Sequence, residues 1–428
     1  MNATPAALFA ICSLLAPLAG QQESETPEAF DKRARAIHAR VLTLDTHKDI
    51  SANLAPEKVP DDPVEAARMR QRFDPAERGD QQVDFPKMRE GHLDCAFFIV
   101  YVGQGRNDGA GFVRAKQQAM LKFDAIHRMA RLYPGHIGLA TTADEVEALH
   151  RDGKLIACIG IENGYCMGED LSLIEEFHRR GARYMSIAHN RHSQLGDSHT
   201  PKEPLHNGLS ELGRKAVAEL NRVGIMVDIS HASKDAMMQA VELSVAPVVA
   251  SHSGAAGVNP HSRNLDDEQL RALAANGGVV QCVALASFVK SNPERDQKAR
   301  ELRAKLGIDR RGNRGEQDAD FESRMQQYRD GILEINAAHP RANVQDFVDH
   351  IDHAVKVAGI DHVGISSDFD GGGGIDGWND ASETANVTIE LVRRGYTEEQ
   401  INQLWSGNLL RVWREVEAKA KELQSEDR

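Results

Sequence analysis

Short runs of nearly unbroken apolar residues recur along the chain, separated by longer stretches with helical spacing. The runs are 41–45 (VLTLD), 95–102 (CAFFIVYV), 155–161 (LIACIGI), 183–189 (RYMSIAH), 224–230 (GIMVDIS), 246–252 (APVVASH), 277–284 (GGVVQCVA) and 362–368 (HVGISSD). Apolar character on both faces is the pattern of strands covered on both sides, as in a parallel sheet wrapped by helices. Between them lie segments such as SELGRKAVAELNRVG, opened by Ser210 and closed by Gly224, and ETANVTIELVRRG, closed by Gly395. A Ser at the start and a Gly at the end mark helix boundaries. Eight β–α units in one chain predict an α/β fold, a single (β/α)8 TIM-type barrel rather than two doubly wound domains. No solenoid repeat and no Ser- or Pro-rich linker divides residues 23–428, so they are expected to form one domain. Residues 287–345 break the rhythm: they are highly charged and carry no barrel-like strand. They predict a helical insertion between strands seven and eight, either a solvated hairpin over the rim or a substrate lid.

Composition narrows the function classes. The chain has 428 residues, 41% hydrophobic and 27% charged, and a formal net charge of −13. That balance suits a soluble globular protein and argues against nucleic acid or an anionic membrane as partner. The first 22 residues carry no charged side chain, and AALFAICSLLAPLAG is too short an apolar core to span a bilayer comfortably. Residues 1–22 therefore read as a cleaved export signal, placing the mature protein in a periplasm or outside the cell; without cleavage the location would be cytoplasmic. Gln21 rather than Cys follows LAG, and the polar AKAKELQSEDR gives no sign of a membrane anchor. Outside this leader, Cys95, Cys158, Cys166 and Cys282 form no metal-type pair and are expected to be buried free thiols.

In such barrels the chemistry collects at the carboxyl ends of the strands. Here the first run leads to His47 and Asp49, the third to Glu162 and the fourth to His189. The fifth leads to His231, the sixth to His252 and the eighth to Asp368. Each has a bland reading. A lone His at a strand end is more often a hydrogen-bonded packing residue, Glu162 could be a loop acid, and Asp368 a turn former beside Asp370. Asp45 falls within its strand and is expected to support the loop, not to bind. The shared register weakens these readings together. Carboxylates converging inside a barrel are costly without a cation, and His with carboxylate oxygen is a donor set for zinc or a similar divalent ion.

The local wording goes further. DTHKD, IENGY, SIAHNRHSQLGDS, VDISHAS, SHSGAAGVNPHSRNLDDE and GISSDFDG occur in this order, with QVDFPKMREGHLD and GNLLRVWREVE at 82–94 and 407–417. Together they resemble the membrane (renal) dipeptidase family of zinc peptidases over nearly the whole mature chain. The resemblance implies a (β/α)8 barrel and two Zn2+ per chain, one held by His47 and Asp49 and the other by His231 and His252, with Glu162 bridging. It implies dipeptide hydrolysis by a hydroxide shared between the ions, with His189 beside the scissile carbonyl and Asp368 as the proton shuttle. Arg263 would then clamp the substrate's terminal carboxylate, and a homodimer is compatible with the family. Two departures stand out: Lys48 between the paired ligands, where a smaller residue is usual, and Asn163 where glycine follows the bridging Glu. Lys48 near the mouth is the place where dipeptide preference would be altered. The alternative is another amidohydrolase-type barrel hydrolase acting on a lactone, an N-acyl amino acid or a β-lactam. Many of those bridge their metals with a carboxylated lysine, where this chain offers Glu162 and His189. A metal-free binding protein would have lost ligands, and all five are present.

Overall fold

A computed structural model describes residues 25–308 and 319–426. The expected leader, residues 1–22, lies outside the described residues. The strands are β1 (Leu44–Asp49), β2 (Cys95–Tyr101), β3 (Ile137–Leu139), β4 (Leu155–Glu162), β5 (Ala182–Ser186), β6 (Met226–Asp228), β7 (Val249–Ser253), β8 (Val279–Val283) and β9 (Val363–Ser366). Eight pair in parallel in the order β1-β2-β4-β5-β6-β7-β8-β9, with helices between them. The two ends of this sheet meet at a bridge between Lys48 and Phe369, where the Asp49 N–H donates to the Phe369 carbonyl at 2.9 Å. The result is the (β/α)8 barrel that the apolar rhythm predicts.

Several boundaries differ from the sequence reading. β1 starts later and runs through His47 and Asp49, because pairing with β2 continues there, Lys48 opposite Phe98 and Asp49 opposite Ile99. β5 and β6 stop early, so His189 and His231 each stand three residues beyond their strands, on loops. β3 was not expected; it is only three residues long and pairs with β4 outside the barrel path. Helix ends follow the sequence signals. Ser210 caps its helix by accepting from the Gly213 N–H, and Gly224 ends it in the left-handed conformation at φ 88°.

The barrel interior below the strand ends is filled by Phe97, Ile99, Ile156, Cys158, Tyr184 and Met226, and the last helix closes it with Leu409 and Trp413. Mostly apolar side chains fill this space, so the polar strand ends above it sit on a largely dry floor. Cys95, Cys158, Cys166 and Cys282 are free and buried. Between β8 and β9, the seventh and eighth barrel strands, the helices Ala286–Val289, Pro293–Lys305 and Ala319–Ala338 form the expected insertion. Its two longer helices are tied by Arg295 Nε donating to Asn336 Oδ1 at 2.9 Å.

The first helix, Pro27–His38, is pinned to the barrel by its last residue. His38 Nε2 lies 2.8 Å from the Gly91 carbonyl and Nδ1 lies 2.7 Å from Thr388 Oγ1. Burial, outweighing the backbone hydrogen bond, holds the imidazole down at about 4. Folding therefore favours neutral His38: its contribution is complete above the unfolded value near 6.5 and is lost as pH falls toward 4. At about 1.4 kcal/mol per pKa unit, about 2 kcal/mol should disappear between pH 7.5 and 5. Urea unfolding at the two pH values should show a smaller drop for His38→Gln than for wild type by about that amount. Equal drops would refute the assignment.

Candidate metal centre

The upper ends of the strands bring the expected residues to one place. Glu162, the last residue of β4, lies at its middle. Its Oε1 is 2.9 Å from His231 Nε2, 3.4 Å from His252 Nε2 and 3.7 Å from His189 Nε2. Its Oε2 faces the other way, 3.7 Å from His47 Nε2. His47 Nε2 is also 4.0 Å from Asp49 Oδ2 and 3.7 Å from Asp368 Oδ1. Three sets of potential ligand atoms, each within 4.8 Å, follow: His47–Glu162–His252, Glu162–His189–His231 and His47–Asp49–Asp368. A pocket of about 230 Å3 opens over them; its lining includes Arg263, Leu285 and Phe288, which follow β7 and β8, and Asp49 and Tyr101, which end β1 and β2 across the barrel.

Two of these residues hold conformations that non-glycine residues rarely adopt, His231 at φ 65° and Asp368 at φ 57°. Such backbone costs of order 1 kcal/mol or more and persists where the surroundings enforce it, commonly at functional sites. Asn163 shares it at φ 78°, its Nδ2 donating to the Val102 carbonyl at 3.2 Å. The position after Glu162 thus demands a left-handed residue, and Asn, after Gly the residue that most readily takes that conformation, meets the demand.

A family model described as membrane dipeptidase, peptidase family M19, matches residues 31–427. The chain belongs to this family. Dipeptidase tcpJ of Claviceps purpurea (strain 20.1) is 31% identical over 351 residues, 81% of this chain and 72% of that protein. Among solved structures, the probable dipeptidase PvdM from Pseudomonas aeruginosa aligns with TM-score 0.77 and 30% identity, covering 92% of this chain and 100% of that one. The dipeptidase AC, a metallo peptidase of family M19, aligns with TM-score 0.67 and 25% identity over 88% of this chain and 98% of its own. The protein is accordingly an M19 metallopeptidase, a hydrolase of peptide bonds. No helix of the described residues is long and apolar enough to cross a membrane.

The hydrogen bonds behind the imidazoles show that this M19 site is built for cations. Tyr184 OH donates to the Thr46 carbonyl at 2.9 Å, so the His47 Nδ1–H must donate to Tyr184 OH, 3.1 Å away. Ser251 Oγ donates to Asp228 Oδ2 at 2.6 Å, so the His252 Nδ1–H must donate to Ser251 Oγ at 2.8 Å. His231 Nδ1 lies 3.2 Å from Asn190 Oδ1. Each partner fixes the tautomer that turns an Nε2 lone pair inward. His231 and His252 Nε2 then stand 2.9 Å apart, and His47 Nε2 is buried with no hydrogen-bond partner. Two lone pairs at that separation repel, and a cation between donors removes the conflict. The residues fit divalent metal.

Electrostatics agree. Burial works against the Glu162 carboxylate, yet the charge of a protonated His47 holds it well below the ordinary carboxylate range. Burial works against charge on His47 too, but Glu162, Asp368 and Asp49 raise it to about 9. A proton on His47 thus does part of what a divalent ion would do. Burial, with Arg263 and neighbouring imidazoles, keeps His231 and His252 far below the usual histidine value, neutral and ready to coordinate.

Arg263 is only 3% exposed; its Nη2 donates to the His252 carbonyl at 2.9 Å and its side chain lies 5.4 Å from the Phe288 ring. Its Nε is buried without a partner. Asp45 accepts from the backbone N–H groups of His47 and Ser367 at 3.2 and 2.8 Å, a loop support as expected. Lys48 departs from expectation. It is 0% exposed, and its Nζ meets Gln81 Oε1 at 3.1 Å and Asp370 Oδ2 at 3.2 Å beside the Phe98 ring. Strand alternation turns it behind the wall, so it does not present a charge at the mouth. Sequence reasoning missed Tyr184, Asn190, Asp228 and Ser251; Asp228 alone left a signal, as the strand acid of VDISHAS.

Ser251→Ala removes the group that orients His252 while leaving every proposed ligand in place. Chelator-competition titration should show divalent-metal affinity falling about 10- to 100-fold, the scale for loss of such support. Unchanged affinity would mean that the Asp228–Ser251 pair is merely structural.

Proposed function

We propose that this chain hydrolyses dipeptides with two zinc ions, one held by His47 and Asp49, the other by His231 and His252, with Glu162 between them. The observation that carries this reading is the split of Glu162, one carboxylate oxygen toward His231 and His252 and the other toward His47. When bound, such a pair supplies Lewis acidity and lowers the pKa of a water toward neutrality.

The side chains around it divide the remaining work. Arg263 binds the terminal carboxylate of the dipeptide through its free, buried Nε–H, a charge-assisted donor already stripped of water. That contact sets the peptide bond over Glu162. His189 packs against the Tyr101 ring, 4.9 Å between centroids, with its Nε2 3.7 Å from Glu162 Oε1, and burial lowers its pKa, keeping it neutral. A neutral imidazole N–H there donates to the carbonyl oxygen as negative charge develops on it. Asp368 faces His47 across the pocket. As a carboxylate it takes the proton from the attacking water; burial and the charges of Asp49 and Glu162, against His47 and Arg263, raise its carboxyl to about 8, so it keeps that proton until it passes to the departing amine. The narrow pocket, about 230 Å3, matches a small substrate rather than a folded chain.

A dipeptide-library hydrolysis screen with and without chelator tests reaction class and metal dependence together, and elemental analysis should return about two divalent ions per chain. A clean zero in purified active protein would sink the metal mechanism. Asp368→Asn should lower kcat about 100- to 10,000-fold, the usual worth of general acid–base catalysis, with metal content near normal. Arg263→Ala should raise KM for dipeptides about 10- to 100-fold, as expected for a lost charge-assisted contact of about 1.5–3 kcal/mol. An unchanged KM would remove Arg263 from the clamp.

A further inference from the structure

The pocket over Glu162 does not end at Asp49 and Tyr101. Those two residues and Gly371 also line a wider basin of about 950 Å3, whose other walls include Ser51, Phe73, Gln81 and Lys122. Arg72 and the acids Asp80 and Asp370 border it as well. The acids are already engaged. Asp80 Oδ1 accepts from Gln71 at 2.9 Å, and Asp370 meets the buried Lys48 at 3.2 Å and the Gln82 N–H at 2.9 Å.

Lys122 is different. It rises from the helix Gly109–Leu132, its side chain is 14% exposed, and its Nζ is 5.3 Å from the Tyr101 ring centroid. Among the described residues, Asp49 is the one carboxylate within 4 Å, with Oδ1 3.9 Å away, and Glu162 acts on it from farther off. In the dinuclear reading, on which this inference rests, the charges of Asp49 and Glu162 are both spent on metal. A largely buried ammonium facing an open basin is then left without an anion. Arg72, on the rim of the same basin, adds a second cation that stands over Phe73.

We infer that Lys122, supported by Arg72, forms a subsite for an acidic side chain on the first residue of the dipeptide. The direction follows from the pocket itself. With the terminal carboxylate at Arg263 on one side, the first residue points to the Asp49–Tyr101 side, where the basin begins. An Asp or Glu side chain there completes the charge that Lys122 lacks, in a setting screened from water on most sides.

The test compares Glu-Ala with its neutral near-isostere Gln-Ala on the metal-loaded full-length enzyme. Wild type should favour Glu-Ala in kcat/KM by about ten-fold, equivalent to about 1.4 kcal/mol. Lys122→Met should bring that ratio close to one while elemental analysis shows unchanged metal content, and Lys122→Arg should keep much of it. Arg72→Gln should reduce the ratio by a smaller factor. If wild type cleaves both peptides without preference, or if the preference survives in K122M, the subsite is overturned and the dipeptidase reading stands. If K122M instead loses metal and slows equally on both peptides, the subsite is again overturned, and Lys122 belongs to the support of Asp49. Failure of wild type to cleave any dipeptide would overturn the dipeptidase reading itself.

Discussion

A carboxylate without water is the constraint from which the rest of this structure follows. Glu162 stands in the middle of a closed barrel, above a floor of Phe97, Ile99, Tyr184 and Met226, where an isolated charge is prohibitively costly. The barrel answers by pointing imidazoles from four other strand ends at its two oxygens. Those imidazoles need their own orientation, which explains the second layer: Tyr184 behind His47, Ser251 and Asp228 behind His252, Asn190 behind His231. Each layer is intelligible only from the one inside it, and the innermost is a donor set that suits divalent metal. Site and fold are therefore one electrostatic problem solved by geometry.

The solution stores strain. Asn163, His231 and Asp368 all take left-handed backbone, and all lie at or beside the centre. Elsewhere in the chain that conformation falls largely to glycines at helix ends, such as Gly224 and Gly395. Residues with side chains are used here because the side chain is needed and no relaxed backbone delivers it to the same point. The apolar floor and the surrounding helices hold these positions in place, an instance of stability spent at a functional site.

Much of this was legible before any coordinates. Nearly continuous apolar runs identify barrel strands because both faces of such strands are covered, and a histidine or acid at the ends of six of the eight is hard to attribute to chance. Boundaries were less legible: Thr46, His47 and Lys48 look like the end of a strand, yet β1 continues because its partners supply hydrogen bonds that polarity does not forbid. The three residues of β3 carry too little pattern to be seen. Lys48 and Lys122 show the deeper limit. In sequence, Lys48 lies between two candidate ligands and looks decisive, but alternation sends it behind the wall. Lys122 lies 73 positions after Asp49 on an ordinary amphipathic helix, and only the folding of that helix against the barrel mouth gives it meaning. Support residues such as Tyr184 and Ser251 are invisible for the same reason: their role is set by what stands across the barrel, not beside them in the chain.

The seam between β1 and β9 carries a consequence for when the site can exist. It joins Lys48 to Phe369, residues separated by most of the polypeptide, and it places Asp368 against His47. Pairings so distant in sequence are the last to repay the entropy of closing their loops. During synthesis, β1 must wait, its His47 and Asp49 already made, until the final barrel strand emerges. The pocket is thus assembled from the two ends of the chain at once. A nascent or truncated chain can hold every histidine of the centre and still have no enclosure for a hydrolytic water, so competence arrives with barrel closure rather than with any single residue.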